Sequence, residues 1–267
     1  MNILLYANWK MNLGPLDSIE LIKKLTGEHL NKKVEVSYFP PIISLYAVFK
    51  QMEGTDDFIS GKTSLGAQNS DWREQGPVTG EASSSMVKDI CSKILVGHSE
   101  RRQLFGESEA IINKKIAMNI SQGIISVLCV GEEEFYGGGA SEANRVLEDQ
   151  LMNALRDIDL NGHDSSELVV AYEPIWAIGT GNPATPAIAM ERCVFIKDRL
   201  IAKYGREVAE AIPVLYGGSV SENNARSFLQ CEGINGLLIG GASLHSQKFK
   251  SIIQVANGVA DEKLFQG

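Results

Sequence analysis

ILLYANWKMN, residues Ile3 to Asn12, decides between two architectures. It begins as an apolar run, Ile3–Ala7, of the kind that forms a strand buried on both faces. The next residues are Asn8-Trp9-Lys10-Met11-Asn12, not Gly-x-Gly-x-x-Gly. A doubly wound sheet that binds a dinucleotide usually shows that glycine turn after its first strand, where the backbone approaches the pyrophosphate. Here polar side chains stand at the strand's C-terminal end, the rim on which a closed (β/α)8 barrel builds its sites.

The rest of the chain repeats the pattern. Further short runs, apolar for the most part, lie at Val34–Phe39, Thr63–Ala67, Lys93–Val96, Ile124–Val130, Leu168–Tyr172, Pro213–Tyr216 and Gly236–Ile239. Helical periodicity separates them. Ile19, Ile22 and Leu25 fall near one face; Ile112, Ile116 and Ile120 recur at i, i+4, i+8; Ala143, Leu147, Leu151 and Ala154 do likewise. Thr185-Pro186 reads as an N-cap followed by proline at the first helical position. Ser221 reads as the cap of a helix from about Asn223. Tyr136–Ser141, with three glycines in a row, reads as a flexible loop ahead of a helix. Eight strand-then-helix units in 267 residues, with no linker rich in Pro or Ser, predict an α/β fold: one (β/α)8 TIM barrel spanning residues 1–267 as a single catalytic domain.

Composition narrows the function. The chain is 44% hydrophobic, the share of an ordinary globular protein, and carries a formal net charge of −8, which disfavours general binding to nucleic acid. An anionic ligand must then be held by a local site. The four cysteines form no Cys-x-x-Cys pair and read as reduced thiols; Cys129 in VLCVGE reads as a core residue. The N-terminal apolar run lacks a basic flank and a cleavage site and is too short to span a bilayer. The expectation is a cytoplasmic protein without membrane or nucleic-acid partners.

On a barrel, polar residues just past each strand converge on one rim. They are Asn8 and Lys10, Gln68 and Asn69, His98, Glu173, Gly217-Gly218-Ser219 and Gly240-Gly241. A carboxylate on a rigid strand end can serve as a general base. A histidine opening a helix, as in HSERR, feels that helix's positive end, which favours the neutral imidazole. Lys10 is the obvious cation of the set, and glycine turns can aim backbone N–H groups at an anion. Taken singly, each has a plain structural reading: a solvated glutamate, a satisfied histidine, a surface lysine, tight turns. Their joint placement at the correct ends of different strands points to a site for a phosphorylated substrate.

Five segments then carry a resemblance. ANWKMN (Ala7–Asn12), VGHSERR (Val96–Arg102), AYEPIWAIGTG (Ala171–Gly181), YGGSV (Tyr216–Val220) and LIGGASL (Leu238–Leu244) occur in the order and context of the triosephosphate isomerase family, which the chain resembles over nearly its whole length. The resemblance implies a cofactor-free, metal-free aldose–ketose isomerase of glycolysis and gluconeogenesis. It interconverts glyceraldehyde 3-phosphate and dihydroxyacetone phosphate through an enediolate. It implies Glu173 as base, His98 as electrophile, and Lys10 and Asn8 as holders of the substrate and its developing charge. Gly179, Ser219, Gly240 and Gly241 match phosphate-binding positions, and Ser99 and Glu100 a polar supporting shell. Pro174 to Thr180 matches a mobile lid, with Pro174 and Trp176 as its stiff hinge. Trp72–Glu81, including Thr79, matches a loop that enters the neighbouring subunit of a homodimer.

The chain departs from the family at three places. Ala7 replaces a frequent glycine, Pro77-Val78 replaces Ala followed by an aromatic in the dimer loop, and Glu132–Gly139 is atypical. Rival readings are a sister isomerase acting on a four-carbon ketose phosphate and a barrel that keeps only a binding or structural role. The intact WAIGTG and GGASL favour the triose; retention of Lys10, His98 and Glu173 together favours catalysis. A metal-dependent sugar isomerase is disfavoured because the four histidines show no His-x-His or His-x-x-x-His pair.

Overall fold

A computed structural model of the chain describes residues 2–136, 140–160, 167–178 and 183–265. Among them lie eight strands: β1 (Ile3–Asn8), β2 (Val34–Phe39), β3 (Thr63–Ala67), β4 (Lys93–Val96), β5 (Ile125–Val130), β6 (Leu168–Tyr172), β7 (Val214–Tyr216) and β8 (Gly236–Ile239). Each pairs in parallel with the next, and β1 also pairs with β8, so the sheet closes in chain order. This is the expected (β/α)8 barrel. β7 begins after Pro213, whose nitrogen has no hydrogen to give a ladder; its carbonyl accepts from Val170 N instead.

The longer connecting helices are Pro15–Leu25, Ile42–Met52, Glu109–Ser121, Ala140–Ala154, Pro186–Tyr204 and Ser246–Phe265. They bury the predicted stripes: Ile22, Leu25, Ile112, Ile116, Leu147 and Leu151 all pack into the layer between helices and sheet. Thr185 caps its helix as expected, its hydroxyl accepting the Ile188 N–H at 3.3 Å. Ser221 does not cap. The helix begins later, at Ala225, because Asn224 pins the preceding turn: its side chain accepts the Ser221 N–H and donates to the Ser219 carbonyl. The glycines of the Tyr136–Ser141 segment, residues 137–139, lie outside the described residues. Among the described residues no helix is long and apolar enough to cross a membrane.

A second apolar layer fills the barrel interior: Leu4, Tyr6, Phe39, Leu95, Val127, Cys129, Val169, Ala171, Leu215 and Leu238. Cys129 is thus the core thiol its context predicts. A Cβ on Gly66 would lie 2.1 Å from the Phe39 ring, so a glycine there makes room for that side chain. Strand alternation also positions the site. Leu4 and Tyr6 point inward, and two residues on so does Asn8; Val169 and Ala171 point inward, and two residues on so does Glu173. The same period-two rule that buries the interior therefore lifts a carboxamide and a carboxylate onto the mouth of the barrel.

Candidate active site

Glu173 follows β6 directly and is buried. Its Oε1 lies 3.0 Å from His98 Nε2, and its Oε2 accepts the Ser99 N–H at 2.9 Å. Glycines hem in both its backbone and its side chain. A Cβ on Gly131 would sit 1.7 Å from the Glu173 carbonyl oxygen, and one on Gly217 would sit 3.1 Å from its Cγ. Burial pushes the carboxyl pKa up, but the His98 imidazole, the Ser99 amide and Lys10 outweigh it, and the net direction is downward. The carboxylate is therefore ionised although buried.

His98 opens the helix Ser99–Phe105 as its N-cap, and Nδ1 accepts the Glu100 N–H at 3.3 Å. The helix start alone favours a neutral ring. Burial presses the pKa down, yet the charge and hydrogen bond of Glu173 outweigh it and the net direction is upward, with the Glu100 carboxylate, 3.7 Å from Nδ1, adding to the pull. Nδ1 nonetheless holds an accepted hydrogen bond, so in this arrangement the ring proton resides on Nε2, facing the carboxylate.

Lys10 enters the same space from the loop after β1. Its φ is +51°, a left-handed conformation that disfavours a side chain with a Cβ by about 1–3 kcal/mol. Neighbouring bonds hold it there: the Lys10 N–H donates to Asn8 Oδ1 at 3.0 Å, and Gln68 Nε2 donates at 2.8 Å to the carbonyls of both Lys10 and Phe39. The ammonium pairs with Glu100 Oε1 at 2.6 Å. That acid is 43% exposed, so the pair contributes little stability and leaves the ammonium beside open solvent. Asn69, by contrast, turns away and accepts from Lys115.

Asn8, Lys10, His98 and Glu173 line one cleft of about 320 Å³ with Ser219, Gly240 and Gly241. Gly241 begins a short 3-10 turn, Gly241–Leu244, whose leading N–H groups have no partner within the turn. A Cβ on Gly241 would meet no heavy atom within 4 Å, so its backbone faces open space. Ser219 donates its hydroxyl to the Ala177 carbonyl at 3.1 Å, tying the seventh strand end to the segment after Glu173. Gly179, Thr180 and Gly181 lie outside the described residues. Ser99 and Glu100 stand beside the pair, through the amide to Glu173 and the carboxylate to Lys10.

The end of β5 holds a residue that the sequence reading passed over. Glu132 is buried, and its Oε1 accepts from Tyr172 OH at 2.8 Å and from Trp176 Nε1 at 3.1 Å; its carbonyl accepts the Ile175 N–H. Gln150 holds Gly131 in place through both of its backbone polar groups. The available signal was Val130-Gly131-Glu132, a carboxylate one glycine beyond a strand, like the other rim residues.

Fold and cleft together define a class: a (β/α)8 barrel with a buried carboxylate–imidazole pair, a lysine and glycine turns gathered at the C-terminal mouth of its strands. Comparison with known proteins narrows the class. The family model described as triosephosphate isomerase matches residues 3–256. Triosephosphate isomerase of Aquifex aeolicus is 40% identical over 256 residues, covering 95% of this chain and 99% of its own. That of Saccharopolyspora erythraea is 38% identical over 261 residues, covering 96% and 97%, and that of Thermoanaerobacter sp. 38% over 248, covering 92% and 96%. The chain belongs to the triosephosphate isomerase family.

Proposed function

We propose that this chain interconverts D-glyceraldehyde 3-phosphate and dihydroxyacetone phosphate, as an aldose–ketose isomerase of glycolysis and gluconeogenesis. The observation that carries the reading is the buried Glu173 3.0 Å from the Nε2 of His98, in a cleft that also holds Lys10 and two glycine turns. The phosphate lies against the backbone of Ser219, Gly240 and Gly241, with Gly179 as a fourth contact. Glu173 then takes the proton from the carbon next to the substrate carbonyl. The C–H electron pair forms the C=C bond, and the carbonyl pair moves onto oxygen, giving an enediolate. His98 Nε2–H donates to that oxygen, while Lys10 and Asn8 stabilise its charge. Proton shuttling between the two oxygens and return of the carbon-bound proton from Glu173 to the adjacent carbon complete the isomerisation. Atoms balance without cofactor or metal.

The resting contacts set one condition on this sequence. Glu173 occupies His98 Nε2 and the Ser99 amide, so both bonds must open before the base reaches substrate carbon. Exclusion of water from the occupied cleft would then strengthen every polar contact inside.

The same reading makes the protein a homodimer whose residues 1–267 form one catalytic domain in the cytoplasm. A second concavity of about 390 Å³ opens behind Lys10, Glu100 and His98, bordered by Met11, Ile42 and Phe105. These three apolar side chains are 96%, 54% and 68% exposed in the single chain, a surface that favours cover by a partner. Thr79, on the exposed loop between Asp71 and Ser83, is the residue a partner would insert there.

The deciding experiment is turnover of glyceraldehyde 3-phosphate in the presence of a chelator, with a four-carbon ketose phosphate in parallel. Fast, chelator-insensitive turnover of the triose with little of the tetrose supports the reading. The reverse preference would keep the site and change the substrate, and no turnover of either would overturn the reading.

A further inference from the structure

Glu173 is joined through Pro174 to the 3-10 turn Ile175–Ala177, so the position of its carboxylate depends on how that turn is held. Two grips come from the segment after β5. Glu132 takes the Trp176 N–H and the Ile175 amide. Phe135 lays its ring against the Trp176 indole, with centroids 4.6 Å apart and planes at 52°. Phe135 is 58% exposed and stands outside both apolar layers of the barrel, so it does not serve the core. Its ring-to-ring contact is with the residue that directly follows the turn's start.

Resting on the reading of Glu173 as the base, we propose that Phe135 is a positioning residue that holds Trp176, and through it Glu173, in the resting arrangement. In that arrangement the carboxylate lies on the Ser99 amide and on His98 Nε2. Substrate needs His98 Nε2 free, so Glu173 must leave it, and the inferred grip is one that holds only while Glu173 stays there. Loss of the Phe135 ring raises the energy of the resting state and leaves the engaged states alone. Ligands that require engagement then bind more tightly, in proportion to the population released. An exposed aromatic pair accounts for roughly a two- to tenfold change.

The test compares the wild-type protein with Phe135→Ala and Phe135→Tyr. Two readouts are used: calorimetric binding of a two-carbon phosphorylated carboxylate, an enediolate mimic, and the separate kcat and KM for triose phosphate. Phe135→Ala should tighten binding of the mimic and lower KM by about two- to tenfold, with kcat unchanged, while Phe135→Tyr, which keeps the ring, should behave as the wild type. Unchanged binding and KM in Phe135→Ala would overturn the proposal. So would weaker binding accompanied by a lower Tm, which would make the contact merely structural. A wild-type protein that turns over no triose phosphate would instead sink the reading of Glu173, an outcome separate from any difference between variants.

Discussion

Glu173 is both buried and ionised, and its neighbours decide which effect prevails. Burial alone raises a carboxyl pKa; the imidazole, the Ser99 amide and Lys10 lower it further than burial raises it. The consequence for stability has a definite sign. A lowered folded-state pKa contributes stability above the unfolded value of about 4.3, and that contribution disappears as pH falls through the folded value. His98→Asn removes the main opposing group, so burial should prevail and the Glu173 pKa should rise. Urea unfolding of both proteins across pH 3 to 5, below the range in which His98 itself titrates, checks this: their stability difference should shrink on acidification. A constant difference would contradict the pairing. For activity, the acid limb of kcat/KM should follow the substrate phosphate, with a second pKa near 6, and not Glu173. Glu173→Asp withdraws the carboxylate by one methylene and should lower kcat about a hundredfold or more with the fold intact, as read by circular dichroism beside steady-state kinetics. Lys10→Ala should remove useful activity, because the described cleft contains no other ammonium.

At the scale of elements, the rim works because strands end where side-chain alternation points inward and loops are tied from behind. Gln68, at the end of β3, fixes the carbonyl of Lys10 in a conformation a lysine does not adopt by preference. Gln68→Ala should therefore raise KM more than it lowers kcat, and should lower stability by about 1–2 kcal/mol through two lost hydrogen bonds, measured by denaturant titration. Gly131, at the end of β5, lets β6 pass within contact of its Cα. Gly131→Ala cannot be relieved by a rotamer, since the obstacle is backbone. Displacement of Glu173 should reduce kcat, and overpacking should lower stability by about 1–3 kcal/mol. Wild-type kinetics in that variant would show that β5 and β6 separate freely at the mouth.

For the whole molecule, the exposed apolar residues Met11, Ile42, Ile43, Tyr46 and Phe105 lie in the segments that follow β1, β2 and β4, four of them on the helices Ile42–Met52 and Ser99–Phe105, and Met11, Ile42 and Phe105 border the second concavity. Thr79→Arg would put a long charged side chain where the proposed partner loop enters. Sedimentation should then shift from dimer toward monomer at micromolar concentration, with activity falling in step as Lys10 and His98 lose their cover. A monomeric wild-type protein with full activity would refute the dimer.

The architecture was legible in the chain alone, because eight buried strands and their helical stripes are local patterns. Period-two and period-3.6 repeats need no knowledge of distant neighbours. Asn8, Lys10, His98, Glu173, Ser219, Gly240 and Gly241 could be assigned to one rim in the same way, since closing a parallel barrel brings all strand ends to the same side. How those groups bear on one another's charge depends on contacts made only in three dimensions. The upward direction at His98 comes from a carboxylate 75 positions along the chain, against the local helix start that the sequence displays. The folded arrangement also gave Gln68, Glu132 and Phe135 their contacts, and it moved the helix start from Ser221 to Ala225. Those outcomes depend on distances between segments far apart in the chain, or on a side chain competing for the same amide, and spacing along a sequence encodes neither.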